Sequence, residues 1–280
     1  MQYLKSFRAL LFCALLSLFF ISCEKVKDNI QNNIETKKVV FTDAAAAQLN
    51  FLSSYSIFDK AAHNVSKSLI IDSAHVRLQG DTLFIDYGTT FVTCPDGHRR
   101  KGKMTAVFSD FNQYNQAGSI VNIVIENLFD NDYSLNGTVK ITNQGIFGNR
   151  IRYEIIANSG TSLTGPNGVI HFVAGYYTEW DRNNTPAIED DKLFILTTSS
   201  STGYVSNGAD YTMSVVTQVL LDYACQYKII EGRLQLTSTA FPSDPSFIDF
   251  GNGACDNAIQ LIITTNGITT TIDYTIDQLF

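Results

Sequence analysis

From about residue 68 to its end the chain repeats one texture. Runs rich in Val, Ile, Thr, Tyr and Phe alternate with short clusters of turn residues. VNIVIEN at 121–127, GTVKITN at 137–143, RIRYEIIA at 150–157 and GVIHFVAGYY at 168–177 are such runs. DYTMSVVTQVLL at 210–221 and AIQLIITT at 258–265 are two more. β-Branched and aromatic side chains suit a pleated, half-buried surface, so these runs are expected to be strands. Asn-Gly pairs stand at 136–137, 167–168, 207–208, 252–253 and 266–267. Asn and Gly both accept positive φ, which a two-residue hairpin turn of type I′ needs at both central positions. Several pairs lie about 30 to 40 residues apart, room for two strands of about 12 to 15 residues, longer than the usual strand. No alternation of strand and helix follows, so a parallel sheet is not expected. The expected fold is all-β: a long-stranded antiparallel meander closed into a sandwich or a strongly curled sheet, residues 68–280.

Residues 41–67 differ. Thr42 or Asp43 can cap a helix, Ala44 to Ala47 favour one, and Leu49, Leu52, Tyr55 and Phe58 fall on one helical face. A short helix packed on the β domain is expected there, with a break near Ser53-Ser54. Residues 23–40 are polar and without apolar period, which reads as a flexible tether.

The first 22 residues read as an export signal. Lys5 and Arg8 precede an apolar run from Ala9 to Ile21, the length of a signal-peptide core and short for a membrane span, which needs about 20 residues. Phe20-Ile21-Ser22-Cys23 closes it and resembles the lipobox of a bacterial lipoprotein signal, with Phe in place of the usual Leu. The resemblance implies cleavage before Cys23 and acylation of that cysteine. Several acyl chains at about 0.8 kcal/mol per buried methylene hold a protein on a bilayer.

Two stretches echo each other, FIDYGTTFVTCPDG at 84–97 and FIDFGNGACDN at 247–257. Each carries Phe-Ile-Asp-aromatic-Gly, then a small loop, a cysteine and an Asp. Gly88 and Gly251 are expected to supply a bend or bulge. With the lipobox and RRKGK at 99–103, these motifs resemble a group of uncharacterised β-rich lipoproteins from Bacteroidota. The resemblance implies an all-β lipoprotein of the outer membrane. It carries over no catalytic residue.

Three cysteines remain in the mature chain: Cys94, Cys225 and Cys255. An exported location permits bridges, and an odd count leaves one over. If the segments flanking FPSDP at 241–245 pair antiparallel and GNGA at 251–254 bulges out by about four residues, register counting brings Cys255 opposite the neighbourhood of Cys225. The same count in the first copy sets Cys94 near Asp72 to His75, where no cysteine stands. A Cys225–Cys255 bridge is expected, with Cys94 free and buried.

Chemistry is harder to find. The four histidines form no metal-binding spacing, and no GxSxG nucleophile elbow occurs. Asp181, Glu189, Asp190 and Asp191 crowd one loop, which can be a solvated acidic turn or a weak calcium site. Tyr177 and the only tryptophan, Trp180, could share an exposed face and stack on a sugar, whereas alternation assigns one of Tyr176 and Tyr177 to the core. A net charge of −7 without a basic stripe argues against nucleic acid. The reading is an extracytoplasmic lipoprotein held on the bilayer through acylated Cys23, with its membrane side open. Its role is a binding or structural module for a glycan or a surface protein. A carbohydrate-active hydrolase with dispersed carboxylates is the alternative.

Overall fold

The computed structural model describes residues 34–65, 69–182, 190–225, 229–242, 245–265 and 267–279. The signal peptide, Cys23 and Glu189 lie outside them. One helix, α1 (34–64), precedes seventeen strands. They are β1 (Ile70–Ile71), β2 (Ala74–Gln79), β3 (Thr82–Asp86), β4 (Val92–Thr93), β5 (Arg99–Phe108) and β6 (Ile120–Asp130). Next come β7 (Tyr133–Phe147), β8 (Arg150–Ala157), β9 (Ser162–Gly165), β10 (Gly168–Asp181), β11 (Lys192–Ile195) and β12 (Ser200–Tyr204). The last are β13 (Asp210–Asp222), β14 (Ile229–Thr237), β15 (Ser246–Asn252), β16 (Ala258–Thr265) and β17 (Ile268–Thr275). A 3-10 turn, Ile276–Leu279, follows.

Every ladder is antiparallel and joins strands close in sequence, as in β5–β6, β6–β7, β13–β14 and β16–β17. This is the expected meander, and its long strands are as expected: 15 residues in β7, 14 in β10 and 13 in β13. It forms a single sheet, so of the two expected forms it is the curled one. Burial alternates strictly along β10, which turns Ile170, Phe172, Ala174, Tyr176, Thr178 and Trp180 inward. Tyr176 is therefore the core member of its pair.

The inward faces close on α1. This helix is longer than the sequence suggested: it begins at 34, within the expected tether, and runs unbroken through Ser53-Ser54. Ala44, Ala45, Ala46 and Ala47 are consecutive and all buried, as are Phe41, Leu49, Phe51, Leu52, Tyr55 and Phe58. Consecutive burial covers every side of a helix, so α1 is a core helix, not a strut lying on the sheet. Removal from water frees α1 from needing an amphipathic stripe, which is why periodicity alone understated it. Further along the helix aromatic rings fill the core: Phe58 stacks on Phe108 at 5.9 Å and meets Tyr114 edge-on at 5.9 Å.

Polar side chains of α1 reach all round the wrap. Lys37 Nζ donates to the Thr264 carbonyl in β16. Asp43 accepts from Asn167 Nδ2 at 3.3 Å and from the Ser206 N–H at 3.1 Å. Asn50 Nδ2 donates to the Leu279 carbonyl at 3.4 Å, and the Ser53 hydroxyl to Asp130 at 2.8 Å. Lys60 pairs with Asp72 at 2.7 Å. Each contact satisfies a buried or half-buried polar group that would otherwise be costly.

At the β16–β17 hairpin Thr265 pairs with Ile268 and Gly267 stands at φ +76°, while Asn266 lies outside the described residues. Asn136-Gly137 lies inside β7, and Asn207-Gly208 sits in a longer turn closed by Val205 and Ala209. The other tight turns use Asp72-Ser73, where both residues have positive φ, and Gly80-Asp81, Asn131-Asp132, Gly148-Asn149 and Pro166-Asn167. One residue with positive φ at the start of the turn suffices at Gly80, Asn131 and Gly148.

The disulfide joins Cys225 to Cys255 with a Cα–Cα distance of 5.6 Å, and Cys94 is free and buried. The bridge ties the connection after β13 to the connection after β15.

Candidate functional site

The echoed segments build the same local turn. Asp86 accepts from the Gly88 N–H at 2.7 Å, and Asp249 from the Gly251 N–H at 2.9 Å. Gly88 stands at φ +82° and Gly251 at +84°, and Tyr87 and Phe250 are both buried. Beyond the segment the likeness continues, because Asp86 pairs with Lys103 and Asp249 with Arg233, each one residue past a glycine of positive φ. The first copy faces Gly102, whose N–H donates to the Gly88 carbonyl at 2.9 Å, on a strand that follows it. The second faces Gly232, at φ +118° beside a register shift between Glu231 and Arg233, on the strand that precedes it. The echo is a shared turn set against a shared bulge, with the order of the two strands reversed.

In the first copy the bulge dents the outer face of the sheet. Gly102 has φ +96°, and a Cβ there would come within 1.9 Å of the Asn127 carbonyl oxygen. Asn127 itself holds φ +47°, and the β5–β6 register shifts between Lys101 and Lys103. The result is a depression of about 650 Å³ lined by Asp86, Gly88, Lys101, Lys103, Glu126 and Phe129. A second depression of about 370 Å³ shares Asp86 and Lys103 and extends past Phe84, Arg77 and His75. Together they form a trough across β2, β3, β5 and β6.

Aromatic rings and charges of both signs line the trough, with Arg77, Lys101 and Lys103 against Asp86 and Glu126. Lys101 Nζ lies 4.1 Å from the Phe129 ring centroid and 4.5 Å from that of Phe91. Those two rings meet edge-on at 5.6 Å. Arg77 covers Phe84 at 4.5 Å, and Lys103 pairs with Glu126 at 3.0 Å. Behind Lys101, on the inner face, Arg100 is buried and forks onto Asp96 at 2.9 and 2.7 Å, with Asp130 at 3.1 Å. His98 Nδ1 meets Asp130 at 2.6 Å. Burial alone would raise the Asp130 pKa; the His98 hydrogen bond and the Arg100 charge outweigh it and hold it below the ordinary carboxylate value. Burial pushes the Cys94 thiol up, which leaves it a poor nucleophile. This network fixes CPDGHRR as a rigid floor.

A second polar cluster closes the far end of α1. Asp59 is fully buried; its carboxylate accepts from the Tyr114 hydroxyl at 2.8 Å, and His63 Nδ1 is hydrogen-bonded to its backbone carbonyl at 2.8 Å and lies 2.9 Å from carboxylate Oδ2. Arg182 donates to His63 Nε2. Burial alone would lower the His63 pKa, but the Asp59 carboxylate outweighs it and raises it. Trp180 Nε1 donates to Asp191 at 2.6 Å, and burial raises the Asp191 pKa to about 6. Asp191 Oδ1 has no hydrogen-bond partner among the described residues.

The expected aromatic platform does not form. Tyr177 and Trp180 stand three apart on one strand and so on opposite faces. Trp180 is wholly buried, stacked on Tyr223 at 5.5 Å, while Tyr177 points outward and its hydroxyl donates to Glu154 at 2.8 Å. The acidic residues also part: Asp181 faces outward towards Arg150 at 3.8 Å, and Asp191 faces inward. Among the described residues no group of three or more His, Cys, Asp or Glu is arranged to hold a metal ion. Sequence reading missed Asp59, His63 and Arg182, which converge only once α1 is inside the sheet. Within RRKGK at 99–103, strand parity sends Arg100 inward.

No helix among the described residues is long and apolar enough to cross a membrane. Compared with protein-family models, curated proteins and solved structures, the chain matches none.

Proposed function

We propose that the protein is a lipid-anchored extracytoplasmic binding module that takes an extended, acidic glycan in the trough on its outer face. The observation that carries this reading is the Lys101 ammonium set over Phe91 and Phe129 beside the Gly102 dent. Aromatic edges and faces suit the apolar side of a sugar ring, and lysine and arginine suit its carboxylates. Arg77, Lys101 and Lys103 against Asp86 and Glu126 leave the lining one charge positive on a chain whose net charge is −7. The Cys225–Cys255 bridge is consistent with export to an oxidising compartment.

The test is a panel of neutral and acidic glycans presented to residues 24–280. Binding is expected to acidic members, to weaken with salt, and to fall when Lys101 or Phe129 is replaced by Ala. Binding that ignores both substitutions removes the trough from the reading.

The hydrolase alternative draws on Asp191, a carboxyl held partly protonated against Trp180. Turnover of any glycan, lost in Asp191→Asn, would favour it over the binding module.

A further inference from the structure

The start of α1 is pinned to one end of the wrap. Lys37 reaches Thr264 at the β16–β17 turn, and Asp43 holds Asn167 and Ser206 in the β9–β10 and β12–β13 turns. The other end of α1 meets the opposite turns, through Phe58 on Phe108, Asp59 on Tyr114 and His63 on Arg182. The two rims are therefore separated by the helix. Its 31 residues, 34–64, span about 46 Å at 1.5 Å per residue.

We infer that the rim made by the β9–β10, β12–β13 and β16–β17 turns rests on the lipid surface, with Tyr204 and Ile268 at headgroup level. The inference rests on the acylation of Cys23. Ten residues, 24–33, separate Cys23 from Ile34, the first described residue of α1, and that stretch reaches at most about 40 Å fully extended. Folded back along the outside, it falls short of the far rim. An anchored molecule cannot stand inverted, and the near rim is the end its tether brings to the bilayer. That rim carries side chains suited to the interface. Tyr204 is 60% exposed, Ile268 54% and Val169 43%, one beside each of the three turns. A tyrosine ring with its hydroxyl suits the boundary between acyl chains and water. The far rim has exposed apolar groups too, Ile146 and Phe147, but Phe147 lies under the Arg152 guanidinium at 3.7 Å and neither is within the anchor's reach.

The test uses the full chain produced in a bacterium that processes lipoproteins, reconstituted in phosphatidylcholine vesicles. Cys94 is buried and the other two cysteines of the folded domain are bridged, so single introduced cysteines take a thiol-reactive fluorophore selectively. Tyr204→Cys and Ile268→Cys report the near rim, Asn149→Cys and Gln116→Cys the far one. With a headgroup spin-labelled lipid in the vesicles, quenching is expected at 204 and 268 and not at 149 and 116. Mass measurement of the N-terminal peptide on the same sample reads acylation. An acylated Cys23 with equal quenching at both rims, or with none at 204 and 268, overturns the orientation alone. An unacylated Cys23 overturns the anchor and the orientation together.

Discussion

Gly102 shapes the trough more than any side chain lining it. Its φ of +96° and its closeness to the Asn127 carbonyl leave no room for a Cβ. Gly102→Ala is expected to cost at least about 1–3 kcal/mol through backbone strain alone. Gly80 also has positive φ but open space around it, so Gly80→Ala should cost less. Denaturant midpoints of the two variants check the order. Asp191 governs a pH effect. Its folded pKa of about 6 exceeds the ordinary 3.8, so between those values the folded state keeps a proton that the unfolded state has released. Stability from this group is complete below about pH 4 and is lost as pH rises through 6. His63, raised above 6.5, adds a loss of the same sign at higher pH, and Asp130, lowered below 3.8, adds the opposite loss in acid. Asp191→Asn is expected to flatten the decline between pH 4 and 6 in equilibrium unfolding; an unchanged slope would discard the assignment.

Among the elements, α1 and the bridged connections carry the tightest constraints. Ala46 is fully buried among buried neighbours Ala45 and Ala47. Ala46→Leu is therefore expected to overpack the site and cost about 1–3 kcal/mol. Phe58→Ala should cost about 3–5 kcal/mol, because Phe108, Tyr55 and Tyr114 surround the space it would leave. Thermal melts separate these from surface changes. The disulfide closes a separation of 30 residues between connections that the β14–β15 ladder already holds side by side. On the chain-entropy model its removal costs about 3–4 kcal/mol. Cys225→Ser with Cys255→Ser should fold with a lowered midpoint, since ladder and core remain.

For the whole molecule, the sheet cannot exist without its helix. The inner face of a curled single sheet has no second sheet to cover it, and α1 fills that role. A chain starting at residue 66 is expected to lack a cooperative transition and to bind a hydrophobic dye. A cooperative melt from that fragment would mean the strands find another core. At the same scale, Cys23→Ala is expected to leave an unprocessed precursor; normal maturation and membrane retention in that variant would rule out the anchor.

The strands, their length, their antiparallel order and the Cys225–Cys255 pairing were legible in the chain because they depend on neighbours close in sequence. Alternation, turn residues and register counting report such neighbours directly. The turn shared by Asp86-Tyr87-Gly88 and Asp249-Phe250-Gly251 was legible for the same reason: an Asp carboxylate caps an N–H two residues on. The helix was half legible. Alanine content marked it, but its true length depended on a sheet that surrounds it and makes an amphipathic stripe unnecessary. The site was least legible. Trp180 could be assigned outward or inward only by knowing which face of β10 meets α1. Asp59 and His63 lie on α1, up to about 130 residues from Arg182 and Asp191, and the four meet because the paired ends of β10 and β11 bring the latter two to that end of the helix. The sequence determined how each strand pairs with the next; only the tertiary structure decided what the curled sheet encloses, because that depends on which of two faces every strand turns inward.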